Sequence, residues 1–68
     1  LAARGEAAAL RQAVSELPAS QRTALELTKI GDLSLAEAGQ RSGMSVGSLK
    51  IATHRAMRSL RRRFGVGD

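Results

Sequence analysis

The sequence predicts an all-α domain of four helices, the last two forming a C-terminal helix-turn-helix. Three observations predict it. The stretch Ser34 to Leu60, SLAEAGQRSGMSVGSLKIATHRAMRSL, reads as a short helix, a brief turn and a long basic helix. Helix formers dominate, with a single Pro, and no period-2 alternation marks a strand. The excess positive charge sits almost wholly in the last helix.

The first helix is expected at about residues 3–16. Leu10, Val14 and Leu17 give it the sparse apolar stripe of a helix that packs on one face. Leu17-Pro18 ends it, because the residue before Pro is pushed away from helical angles. Pro18 is well tolerated in the first turn of the next helix, expected at 19–30. Ala24, Leu25, Leu27, Thr28 and Ile30 supply its packing residues, and Gly31 closes it.

Ser34 and Glu37 have the spacing of a capping box and open a third helix at about 35–42. Gly39 falls inside it, where Ala would be better by about 1 kcal/mol, so a close approach by the following helix is expected there. Gly43 stands where a left-handed residue ends a helix. Met44 can plug the core from the turn, and Ser45 is the N-cap of the fourth helix, expected at 46–63. Its inward stripe is Val46, Leu49, Thr53, Ala56, Leu60 and Phe64, with Ala52 and Met57 beside them. The outer face carries Ser48, Lys50, Ile51, His54, Arg55, Arg58, Arg61 and Arg62.

The chain has 68 residues and a formal charge of +5. In residues 1–49 the bases Arg4, Arg11, Arg22, Lys29 and Arg41 are balanced by Glu6, Glu16, Glu26, Asp32 and Glu37. Residues 50–68 carry the whole excess, through Lys50, Arg55, Arg58, Arg61, Arg62 and Arg63 against Asp68. A polyanion suits that distribution. For Arg61 to Arg63 a second reading stands beside it, since cations in a last turn also complement the helix macrodipole. Ile51 likewise has two readings: a solitary exposed apolar residue, or a contact to a thymine methyl.

Other chemistry finds little support. Without Cys there is no disulfide, thiolate or Cys-type zinc site. His54 has no carboxylate at helical spacing, so a base or phosphate contact is favoured over a metal site or a triad. Ser45 and Ser48 have no base to activate them, and the glycines form no phosphate loop after a strand. No enzyme, cofactor or metal is expected. No apolar run is long enough to span a bilayer and no signal peptide is visible, so a cytoplasmic setting without membrane contact is expected. Because the chain starts at Leu1, a fragment of a longer protein is expected.

The stretch LPASQRTALELTKIGDLSLAEAGQRSGMSVGSLKIATHRAMRSLRR, residues 17–62, resembles region 4 of bacterial sigma-70-type initiation factors. It is most similar to the extracytoplasmic-function group. Three elements carry the likeness: the LPASQRTALEL opening, the GDLSLAEAGQRSGMSVGSLK turn, and HRAMRSLR. Ala52 departs from it, since many relatives have a basic residue there.

The resemblance implies a domain of the winged-helix-like DNA-binding class, without a wing. It would read the promoter −35 element within RNA polymerase holoenzyme. It implies Lys50, Ile51, His54 and Arg55 as base-reading or adjacent phosphate positions. Ser34, Ser45, Ser48, Arg58 and Arg62 follow as further DNA contacts. It also implies double-stranded promoter DNA, the β flap of RNA polymerase core and an anti-sigma factor as partners, with the chain a monomer. Leu25 and Leu27 are expected in the core ahead of any such interface, because a chain this small needs its large apolar groups inside. The alternative function is the DNA-binding output domain of a LuxR-type response regulator. A protein-interaction module that no longer binds DNA is a third.

Overall fold

The computed structural model describes residues 2–65 and places helices at α1 (Ala2–Ser15), α2 (Ala19–Leu25), α3 (Leu35–Ser42) and α4 (Val46–Arg63). α2 runs on as a π-helical segment, Glu26–Ile30. Among the described residues there is no strand.

α4 is the member against which α2 and α3 pack, and α1 reaches it only with its C-terminal end. Two buried groups share its inner face. Ala13, Val14 and Leu17 of the α1 end meet Leu25, Ala56 and Leu60. Ala24 and Ala38 meet Leu49 and Ala52, sealed by Leu27, Leu33, Leu35 and Met44. Alanine at three of those four buried positions lets the helix backbones come close, because no long side chain separates them.

Four apolar residues expected inside are at the surface. Val46 and Phe64 are 45% and 44% exposed, because they stand at the two ends of α4, past the helices that cover its middle. Leu10 is 46% exposed, one turn above Val14, where α1 has left the body. Ile30 is 63% exposed. It follows Thr28 by two residues, which turns it to the far side of a helix whose buried face is Ala24 and Leu25.

The expected helix 19–30 is therefore two kinds of helix. Pro18 lies outside it, at φ −54° and ψ 150°, with its carbonyl accepting from the Arg22 N–H at 2.9 Å. Further on, the Thr28 hydroxyl donates to the Ala24 carbonyl at 2.7 Å. Such back-bonding competes with the backbone ladder and bends helices. Just there the chain widens, and the Gly31 N–H reaches back to the Glu26 carbonyl at 2.7 Å. A Cβ on Gly31 would come within 2.8 Å of that same oxygen, so only glycine fits the closure.

α3 starts as its sequence requires. The Glu37 N–H donates to Ser34 Oγ at 3.1 Å, and the Ser34 N–H donates to Glu37 Oε1 at 2.9 Å. α3 ends at Gly43, left-handed at φ 79°, whose N–H bonds the Gly39 carbonyl at 2.8 Å. The close approach at Gly39 comes from the turn rather than from the following helix. A Cβ there would lie 3.0 Å from the Met44 carbonyl oxygen, whereas Leu49 Cδ1 is at an ordinary 3.7 Å.

Leu49 is fully buried, so Leu49→Ala should cost about 2–5 kcal/mol in chemical denaturation, enough to unfold so small a domain. The Thr53 hydroxyl is buried without a partner, and Thr53→Val should gain about 1 kcal/mol in the same assay. Hydrogen bonds from the Ser34 backbone and hydroxyl hold the Glu37 carboxyl below its ordinary 4.5. A depressed folded value means the ionised form stabilises the fold, and that contribution is lost as pH falls through and below this range. Glu37→Gln keeps an acceptor but cannot titrate, so its melting temperature should fall less than wild type between about pH 5 and pH 3.

Candidate nucleic-acid interface

The outer face of α4 is built from residues that recur at seven, two helical turns and about 10.5 Å apart. Ser48, Arg55 and Arg62 form one row, Ile51 and Arg58 a second, and Gly47, His54 and Arg61 a third, with Lys50 beside it. All of them are exposed, Ile51 at 55%. None of Lys50, Arg55, Arg58, Arg61 and Arg62 has a carboxylate partner among the described residues. Unpaired cations on one face attract an anionic surface more strongly than the net charge alone suggests.

Arg63 is different. Its guanidinium pairs with Glu16 at the end of α1, and the Gln12 amide donates to the same carboxylate at 2.8 Å. Those two partners, Gln12 first and then Arg63, hold the Glu16 carboxyl below its ordinary value. The Arg61–Arg63 run therefore divides: Arg63 latches α4 to α1, and its neighbours stay free.

Ser45 caps α4. Its Oγ accepts from the Ser48 N–H at 3.1 Å and donates to Ser48 Oγ at 2.9 Å, which leaves the Ser48 hydroxyl proton for a partner. Ser34 stands apart from this group. Glu37 engages its amide, its oxygen and its hydroxyl, and sets a carboxylate at the start of α3.

Two shallow depressions flank α4 on the side of α2. The first, about 480 Å³, gathers Ser45, Ser48, Ile51 and Arg55 with Ser20 and Gln21, over a floor that includes Met44 and Ala52. The second joins Arg55, Arg58, Ser59 and Arg62, again with Gln21. Lys50 and His54 line neither and lie on the opposite edge. Sequence reasoning missed Ser20, Gln21 and Ser59. They lie in the quoted elements, but as uncharged residues carry no signal of their own, and the pairing that sets Ser20 and Gln21 beside Arg55 joins positions some thirty residues apart.

No three His, Cys, Asp or Glu side chains gather among the described residues, and no described helix is long and apolar enough to cross a membrane. A capped two-helix reader with cations along the outer face of its second helix puts this molecule among the helix-turn-helix proteins.

The comparisons with known proteins narrow that class. The Sigma-70, region 4 family matches residues 7–60, and the chain belongs to that family. It is 44% identical, over 64 residues, to an ECF RNA polymerase sigma factor, SigF, of Caulobacter vibrioides (strain NA1000 / CB15N). The match covers 94% of this chain and 36% of that relative, so the chain spans about a third of the relative's length. No solved structure matches.

The two serines at the start of α4 do different work. Ser45→Ala should lower stability by about 1 kcal/mol through loss of the cap. Ser48→Ala, which removes only the partner of the Ser45 hydroxyl, should leave thermal stability within about 0.5 kcal/mol of wild type.

Proposed function

We propose that the chain is a sigma factor's promoter-binding domain and that it reads the −35 element of double-stranded DNA. Residues 1–68 act as one such domain. The observation that carries this reading is the outer face of α4: cationic, exposed and unpaired, in a member of the Sigma-70, region 4 family.

In this reading α4 lies in the major groove, and its N-terminal half meets base edges. Lys50 and Arg55 donate to guanine or phosphate, His54 to a base edge or phosphate, and Ile51 packs on a thymine methyl. Ser45, Ser48, Arg58 and Arg62 track the backbone, and the N-terminus of α3, at Ser34, holds a further phosphate. The domain works as a monomer in the cytoplasm, within RNA polymerase, held through the β flap, and an anti-sigma factor covers part of its surface. Leu25, only 3% exposed, belongs to the core and not to that interface. The chemistry required is recognition; no bond is made or broken.

Fluorescence anisotropy on a duplex bearing a GGAAC-type −35 element, the one the family resemblance suggests, against a scrambled duplex at two salt concentrations, tests the reading. Tighter binding to the GGAAC duplex at both salts is expected. Equal, salt-sensitive binding to both would reduce the molecule to a generic basic helix-turn-helix. Lys50→Ala and Arg55→Ala should each weaken binding to the preferred duplex by about 1–3 kcal/mol. Arg62→Ala should act alike on both duplexes and reduce the salt slope by about one.

A further inference from the structure

The two edges of the outer face of α4 are not alike. On the edge of Lys50 and His54 the helix stands free of both depressions. On the edge of Ser48, Arg55 and Arg62, α2 rises beside it and turns the edge into a trough. Gln21 is the residue common to both depressions besides Arg55.

The lining of this trough is one-sided in its chemistry. It holds the guanidinium groups of Arg55, Arg58 and Arg62 and no carboxylate. Gln21 is half-buried, and its Oε1 is turned inward, buried and without a hydrogen-bond partner. The amide NH2, with two N–H donors, is left as the accessible end of that side chain. The neighbouring Arg22 is committed elsewhere, donating to the Ser15 carbonyl at 3.2 Å. Cations and neutral donors set along a groove match a phosphodiester strand, which offers only acceptors and negative charge.

We infer that this trough holds the sugar–phosphate backbone of one DNA strand, and that the Gln21 carboxamide donates to a phosphate there beside Arg55. The inference rests on the DNA-binding reading of α4. It adds a wall from α2, which helps to fix how α4 tilts into the groove, because phosphate contacts set register and orientation without reading sequence. The shape of the pairing is asymmetric: a walled strand on one edge of α4, an open one on the other.

Charge placed at position 21 tests it. Gln21→Glu has nearly the same shape and puts a carboxylate against the phosphate. It should weaken binding about tenfold at low salt on the GGAAC and scrambled duplexes alike. Gln21→Lys should tighten both and steepen the salt slope by about 0.9, one more neutralised phosphate. Gln40→Glu and Gln40→Lys, on the exposed side of α3 outside the trough, are the controls and should change affinity by less than about twofold. Circular dichroism should show unchanged helix content in all four.

Position 21 behaving like position 40, while Lys50→Ala and Arg55→Ala still weaken binding, would overturn the α2 wall and leave the DNA reading standing. Indifference of binding to all of these variants would remove both.

Discussion

Leu49 has no solvent exposure, and it sits with Ala24 of α2, Ala38 of α3 and Ala52 of its own helix. The rest of the molecule depends on that contact. A chain of 68 residues cannot bury a large core, so one long helix has to serve as the wall against which the others pack. Leu49, Ala52, Ala56 and Leu60 give α4 a narrow apolar stripe. The opposite side is thereby left to solvent, and with it the α4 residues of the proposed DNA surface. Core and binding face are two sides of a single helix, which is why substitutions on one need not disturb the other.

The turn that precedes α4 fixes its direction. Ser34 and Glu37 start α3 with a reciprocal pair of bonds, Gly43 stops it in a left-handed conformation, and Ser45 starts α4 within three residues. Each device satisfies backbone groups that the helix itself leaves unpaired. Gly39 lets the Met44 carbonyl fold back against α3. The angle between the two helices therefore follows from backbone chemistry within about a dozen residues, and a rigid angle is what a groove-reading helix requires.

Charge is sorted by the fold in a way composition does not disclose. Eleven Lys and Arg residues stand against six acids, and two of the carboxylates engage the fold's own groups. Glu37 is held by Ser34, and Glu16 by Gln12 and Arg63. The Glu16–Arg63 pair joins the end of α1 to the end of α4 and removes one arginine from the basic run. The cations on the outer face of α4 remain free. Counterion release from a phosphate backbone is the physical consequence that such a row supplies.

The helix-turn-helix was legible in the sequence because its signals are local. Caps, a left-handed glycine and a 3.6-residue stripe act over a few positions, and α3 and α4 begin and end where those signals stand. The free outer face of α4 was legible for the same reason, as the complement of its stripe. Contacts between distant segments were not legible. Ile30 faces solvent and α2 passes into a π-helical turn because Thr28 bonds back to Ala24 and Gly31 closes on Glu26, which no hydrophobic count reveals. Val46, Leu10 and Phe64 fit a helical period but lie past the ends of their partners. Gln21 beside Arg55, and Glu16 on Arg63, are set by how α1 and α2 dock on α4. The sequence by itself determined which helices form and which side of α4 is apolar, since both follow from local backbone preference and periodicity. Only the tertiary structure decided where each partner helix stops covering α4, and so which of its cations stay free and which gain a neighbour, because that depends on packing across the whole chain.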